Sequence, residues 1–226
     1  MCGRMSSSFD PNQLKATFDG VEVAQPLPPN YNVAPTQAAY VITNEFPNII
    51  QALRWGLVPF WAKDEKMGSR MINARSETIS TKPSFKAAIK YRRCLVLADS
   101  FYEWKLINGS KQPYRIMLKD HPIMVMAGIW ETWSKMDNVL HTFSIITTTA
   151  NEDMSDLHDR MPVIFTDQSQ YDNWLTDMPL EDTLTMLTPL PESTLTYYPV
   201  SKAVNSVRNN GIELHHNIED QPNLFS

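Results

Sequence analysis

Glycine is scarce in this 226-residue chain and cysteine is scarcer. The seven glycines stand at 3, 20, 56, 68, 109, 128 and 211, no two closer than twelve positions. A G-x-G-x-x-G turn, a Walker-type phosphate loop and a G-x-S-x-G nucleophile elbow all need closely spaced glycines, so each is excluded. The two cysteines, Cys2 and Cys94, allow at most one bridge and no C-x-x-C motif. The five histidines form no H-E-x-x-H, and the adjacent His215 and His216 would point opposite ways on a strand. Neither a metal site nor a cofactor is expected. The longest apolar run, Ile123 to Trp130, is eight residues, far short of the ~20 that span a bilayer. The start, MCGRMSSSFD, lacks the apolar stretch of a signal peptide. These absences predict a soluble, cytoplasmic protein with no membrane attachment.

What is present suits a packed core: 42% of residues are hydrophobic and 20% charged. The net charge of −5 is unevenly spread. Residues 1–150 carry 17 Lys and Arg against 12 Asp and Glu, whereas residues 151–226 carry 3 against 13. Within Arg54–Arg93 ten basic residues stand against three acidic ones, with Trp55, Phe60, Trp61, Phe85 and Tyr91 interleaved. Cations attract phosphates and aromatic faces stack unpaired bases, so the mixture suits single-stranded nucleic acid. It equally fits a solvated basic face beside a hydrophobic core.

The periodicities predict one α+β domain built on antiparallel strands with helices as excursions. Asp10-Pro11-Asn12-Gln13 reads as a helix start, and Gln25 to Asn30 as a proline-rich loop leading to Tyr31-Asn32-Val33-Ala34-Pro35. Strands are expected at 40–43, 49–55, 95–98, 101–105, 113–118, 123–130, 141–148, 162–165 and 194–200. Asp99-Ser100 separates two of them as a bend, and Asn108-Gly109 is a hairpin signal. Helices are expected from Pro83 to about Tyr91, from an Asn151 cap to near His158, from an Asp167 cap through Leu175, and over 180–187.

Four positions carry potential chemistry. Removal of Met1 would leave Cys2 with a free α-amine beside its thiol. Such a 1,2-aminothiol condenses with an aldehyde as a Schiff base and then closes a thiazolidine ring; the alternative is a frayed, incidental N-terminus. Read as a strand, Met71–Thr78 puts Asn73, Arg75 and Glu77 on one face, able to order a phosphate or carbonyl, or merely solvated with an Arg–Glu pair. Phe101-Tyr102-Glu103-Trp104 sets a carboxylate among three aromatics. Buried, it would be a proton shuttle; exposed on an edge strand, it would be inert. His158 ends a helix before a buried strand, a place where histidine is catalytic or simply favourable electrostatics. Cys94, in Arg93-Cys94-Leu95-Val96-Leu97, reads as a core residue.

Together these segments resemble a known family. The start Met-Cys-Gly-Arg, Tyr-Asn-Val-Ala-Pro-Thr at 31–36, Trp-Gly-Leu-Val-Pro-Phe-Trp at 55–61 and Ile-Asn-Ala-Arg-Ser-Glu-Thr at 72–78 begin the match. Arg-Cys-Leu-Val-Leu-Ala-Asp-Ser-Phe-Tyr-Glu-Trp-Lys at 93–105, Thr-Thr-Thr-Ala-Asn at 147–151, His-Asp-Arg-Met-Pro at 158–162 and Pro-Val-Ser-Lys-Ala-Val-Asn at 199–205 continue it. The pattern is similar to that of abasic-site-processing proteins of the SRAP (SOS-response-associated peptidase) family. Only residues 212–226 form a tail with no recognisable motif. The resemblance implies a barrel-like, bifurcated antiparallel sheet surrounded by short helices. It also implies a monomer that shields abasic sites in single-stranded DNA, including sites at single/double-strand junctions, by bonding to them. Carried over residue by residue, Cys2 would be the nucleophile, Asn73 would hold the aldehyde-derived oxygen or the ring, Glu103 would transfer protons, and His158 would stabilise the adduct. Arg4, Pro35, Trp61, Arg75, Thr149 and Arg160 would grip phosphates or stack beside the lesion. Phe60-Trp61 stands where some relatives have two tryptophans, so the resemblance does not fix the base-stacking geometry. The competing readings are a thiol (auto)peptidase using Cys2 and His158, and a passive single-strand binder that leaves no covalent product.

Overall fold

Why the strands fall where they do is set by alternating apolar residues whose two faces both meet packed neighbours. The computed structural model describes residues 2–9 and 11–220; Met1, the cap expected at Asp10 and residues 221–226 lie outside them. The chain opens with β1 (Met5–Ser7) and α1 (Pro11–Thr17), which buries Leu14 and gives way to Gly20 at φ +70°. β2 (Glu22–Val23), β3 (Asn30–Val33), β4 (Ala38–Thr43) and β5 (Phe46–Trp55) follow. Next come β6 (Asn73–Arg75), α2 (Ala88–Tyr91), β7 (Arg93–Ala98), β8 (Ser100–Ile107) and β9 (Ser110–Leu118). The turn between β8 and β9 is Asn108-Gly109, both at positive φ, which matches the twist of the two strands. A long hairpin of β10 (Met124–Lys135) and β11 (Asn138–Thr149) leads to α3 (Glu152–Ser155), β12 (Arg160–Pro162), β13 (Ile164–Phe165), α4 (Gln168–Leu175), α5 (Leu180–Thr185) and β14 (Leu195–Pro199). The Asn151 side chain accepts from the Met154 N–H and Asp167 from the Gln170 N–H, satisfying amides that a helix start leaves open.

Five strands close into a barrel. β11, β10, β7, β4 and β5 pair antiparallel in that order, and a short parallel contact, Thr142 opposite Arg54 and Phe143 opposite Trp55, joins β5 back to β11. Closure leaves no long open edge among these strands. A second sheet runs in the order β14-β9-β8-β1-β3. Asp99 alone separates β7 in the barrel from β8 in the second sheet, so the expected bend is a corner between sheets. Val41, Val96, Met126 and Ile145 pack with Cys2, Met5, Phe101 and Ile116 into one core. Their neighbours Ile42, Leu95, Ala127 and Ile146 pack on the opposite face with Leu14 and Trp174 from the helices. Coverage on both faces is why β7 reads as an uninterrupted apolar run.

Two local expectations, over 71–78 and 83–91, are corrected, and two further elements were not foreseen. The 31–35 segment contains a strand, β3, because its amides pair with β1. Only the last turn of the 83–91 segment is α-helical, after a series of turns. The 71–78 strand stops at Arg75, which leaves Glu77 in a turn rather than on a shared face with Asn73 and Arg75. The tail without a motif is ordered over 212–215 as a single 3-10 turn. Leu214 is buried there with Tyr102, Val200 and Val204. Among the described residues no helix is long and apolar enough to cross a membrane.

Candidate functional site

The N-terminal residues lie along β8. β1 pairs with it as Met5 opposite Phe101 and Ser6 opposite Ser100, and the Tyr102 N–H donates to the Arg4 carbonyl at 2.9 Å. Continuing that register carries Cys2 and Gly3 past Glu103. Cys2 is 1% exposed and belongs to the barrel-side core. Burial, and then the nearby Glu103 charge, push its thiol well above the ordinary cysteine value. Asn73 fixes the residue from the other side: its Nδ2 donates to the Cys2 carbonyl at 2.7 Å. The Asn73 Oδ1 is buried with no hydrogen-bond partner among the described residues, an acceptor open to a donor arriving at Cys2. β6 presents Asn73 because Ala74, its neighbour, is buried in the opposite core, and parallel pairing with Ile145–Thr147 of β11 fixes the register.

Glu103 is 5% exposed, so the buried alternative is the correct one, but the expected ring of aromatics is not what buries it. β8 is internal to its sheet, between β1 and β9, with Glu103 opposite Tyr114. Alternation places Phe101 on the same face as Glu103, in the Cys2 core, whereas Tyr102 and Trp104 pack on the reverse face with Val200 and Val204. His158 is half-buried, three residues beyond the end of α3, next to Leu157 of the Cys2 core. The Lys105–Asp156 ion pair (3.8 Å) holds this loop beside β8. The His158 Nδ1 accepts the Arg160 N–H at 3.0 Å and lies 2.7 Å from an Asp159 carboxylate oxygen. A neutral ring accepts the first bond; a protonated ring donates to the second.

The remaining residues divide into two groups. Arg75 and Thr149 are exposed at the ends of β6 and β11, and Trp61 is 47% and Phe60 61% exposed on the loop after β5. Pro35 is half-buried in the turn between β3 and β4. Arg4 and Arg160, by contrast, are committed to internal partners. Arg4 Nη1 donates to Asn32 Oδ1 at 2.6 Å and to the Val204 carbonyl at 2.8 Å. Arg160 is buried, makes two bonds to Glu77 (2.8 and 3.0 Å) and donates to the Thr147 carbonyl at 2.6 Å. Glu77 therefore pairs with Arg160, not Arg75, because the chain turns after Arg75. The basic, aromatic 54–93 stretch also divides: Trp55, Phe85 and Arg93 are buried, the last donating to the carbonyls of Trp174, Lys90 and Thr176.

The positioning roles of Asn32, Glu77 and Glu131 escape the sequence reading, which places Glu77 beside Arg75. Asn32 and Glu77 orient the two arginines. Glu131, buried at 5%, accepts from Arg92 at 2.8 Å and from the Thr132 N–H at 3.1 Å, with the Phe60 backbone N–H nearby. Burial pushes the Glu131 carboxyl up while Arg92 pulls it down, and burial prevails. A lone Glu in a strand gives no local signal of such a role. The close approach of Gly56 and Gly68 closes the base of the same loop. A Cβ on Gly56, at φ +113°, would lie 2.5 Å from the Gly68 carbonyl oxygen.

A family model described as SOS response associated peptidase (SRAP) matches residues 1–207. The chain is 45% identical over 221 residues to abasic site processing protein YoqW of Bacillus subtilis, covering 95% of this chain and 98% of YoqW. It is 35% identical over 216 residues to abasic site processing protein HMCES of Gallus gallus, covering 80% of this chain and 64% of that protein. The crystal structure of a Bacteroides thetaiotaomicron protein superposes with a TM-score of 0.85 at 29% identity, covering 94% of this chain and 98% of the other. With a family match across nearly the whole chain and relatives above 40% identity over almost their full length, this protein belongs to the SRAP family.

Proposed function

We propose that this protein processes abasic sites in single-stranded DNA by forming a covalent adduct through Cys2 once Met1 has been removed. The α-amine attacks the aldehyde of the ring-opened sugar, and loss of one water gives a Schiff base. The thiol then adds to the imine carbon, its proton passing to the imine nitrogen, and a thiazolidine closes. One water is lost overall. Glu103 serves as the proton carrier for sugar ring opening and for the carbinolamine step. Asn73 holds the Cys2 backbone and offers Oδ1 to the amine or to the nascent hydroxyl. His158 assists at the rim, and Trp61, Arg75, Thr149 and Pro35 hold the strand. Arg4, through Nη1, and Arg160, through all three of its nitrogens, serve first to fix the walls of the site.

The observation that carries this reading is the Cys2 environment: a buried thiol beside a buried carboxylate, with an amide on its carbonyl. That setting favours amine-first chemistry. A Cys–His peptidase needs a thiolate at neutral pH, and burial beside Glu103 opposes thiolate formation. The test is incubation with an abasic-site oligonucleotide, followed by a denaturing gel and intact mass measurement. The expected product has the mass of protein lacking Met1 plus oligonucleotide minus one water. Cys2→Ala, and a form whose Cys2 amine is blocked, should yield none of it. A stable adduct of undiminished yield from Cys2→Ala would sink the mechanism. Peptide cleavage surviving amine blockage would favour the thiol-peptidase alternative.

A further inference from the structure

The hairpin joining β10 to β11 ends next to the loop that carries Trp61, and nothing in the chemistry above uses it. Trp133 and Lys135 share one face of β10. The Trp133 Nε1 donates to the Ala62 carbonyl at 2.8 Å, and the Lys135 Nζ to the Lys63 carbonyl at 3.0 Å. Trp133 also packs with Val58, Ala62, Met67 and Leu140 in a small buried cluster of its own. Loop and hairpin tip are thus fastened side by side.

The surface these contacts leave outward is basic and apolar together. Phe60 and Trp61 are exposed, and Met136 at the hairpin tip is 94% exposed. Lys63 and Lys135 lie beside them, and only one of the three ammonium protons of Lys135 is used by the Lys63 carbonyl. Two neighbouring acids are engaged elsewhere: Asp64 accepts the Lys66 N–H and Glu65 pairs with Arg54 at 3.5 Å. Asp137, beside Met136 in the turn, is the acid that remains to offset them. Met136 adopts φ +52°, a conformation for which a hairpin turn ordinarily takes Asn, Asp or Gly. Local folding therefore gives no reason for an unbranched apolar side chain at this tip, whereas a base face does.

We infer that the β10–β11 hairpin tip is the outer lip of the single-strand surface. Lys135 holds a backbone phosphate beyond the nucleotide stacked on Trp61, and Met136 covers a base. This rests on the single-strand reading above. The partner is single-stranded DNA, recognised by phosphate charge and apolar base faces and not by base-edge bonds.

The test is fluorescence anisotropy with undamaged oligothymidylates of about four to about twelve nucleotides over a range of salt. Lys135→Gln removes the charge but keeps a donor for the Lys63 carbonyl. It should weaken binding of the long oligonucleotides by about 3- to 10-fold at low salt and reduce the salt slope by about 0.7, while the shortest bind as before. Met136→Gly suits the backbone and removes only the side chain, so it should weaken the long oligonucleotides with an unchanged slope. Wild-type affinity and slope in both variants, with Trp61→Ala still weakening binding, would overturn the lip. If Trp61→Ala and Arg75→Ala also bind like the wild type, the single-strand reading itself falls.

Discussion

Replacing Asn73 by alanine removes the 2.7 Å bond to the Cys2 carbonyl and leaves that carbonyl in a residue only 1% exposed. A buried acceptor stripped of its donor costs about 1–3 kcal/mol. At 1.4 kcal/mol per decade this corresponds to about 5- to 150-fold in population. The cost falls locally, because Cys2 and Gly3 precede the first strand residue, Met5, whereas Arg4 remains tied to Tyr102 and Val204. The fraction of molecules holding Cys2 beside Glu103 should therefore drop, while global stability changes little. Water entering the space left by the amide would satisfy part of the carbonyl and favour the lower end, so the expected slowing is about tenfold. The assay is a rapid-quench time course of adduct formation at saturating abasic-site oligonucleotide, with binding of undamaged strands measured in parallel. Binding should stay within about twofold, since Trp61 and Arg75 are untouched. Asn73→Asp keeps an acceptor but loses the donor and adds a second carboxylate near Glu103, so its loss should be at least as large. Wild-type adduct rates in Asn73→Ala at saturation would refute the argument that this amide positions the nucleophile.

Other expectations follow from the same geometry. Glu103→Gln preserves shape and removes titration, so adduct formation should slow by about 10²–10⁴-fold with binding unchanged; wild-type rates across pH 5–9 would demote the residue to a structural one. The Arg160–Glu77 pair joins a buried guanidinium to a carboxylate that is 48% exposed, so solvent screening limits it. A double-mutant cycle with Glu77→Gln and Arg160→Gln in urea should give a coupling of about 1 kcal/mol, and zero coupling would release Arg160 for a phosphate. At the sheet corner, burial pushes His215 down to about 4. Burial raises the neighbouring Asp99 carboxyl, but the Ser8 N–H and Ser100 hydroxyl, then His215 and Arg115, outweigh it and hold the group below its usual value. Both shifts act in one direction. As pH falls from about 6.5 toward 4, the unfolded chain takes up a proton that folded His215 resists, and Asp99 loses stabilisation at still lower pH. The stability of the wild type relative to His215→Gln should thus decline as pH drops from 7 to about 4.5; a pH-independent difference would exclude this linkage.

Much of the local structure follows from the sequence alone. The Asn108-Gly109 turn, the Asn151 and Asp167 caps and the strands from 93 to 149 depend on neighbours two to four residues away, which a sequence displays directly. The aminothiol potential of Cys2 is likewise a property of one residue and its position. The tertiary structure decided which groups face one another. The parallel β5–β11 contact that closes the barrel joins residues about ninety apart, and no local periodicity specifies such a register. Whether Glu103 is buried depended on which face of β8 meets the core that holds Cys2 and Phe101, not on Tyr102 and Trp104, its immediate neighbours in the chain. Glu77 bonds to Arg160 rather than Arg75 because a turn ends β6 one residue after the arginine. Arg4 and Arg160 look like free cations in the sequence, yet Arg4 Nη1 and the whole Arg160 guanidinium are held by carbonyls and side chains that only folding brings near. The reason is common to all of these: periodicity determines which face a side chain occupies, and long-range packing determines what it meets there.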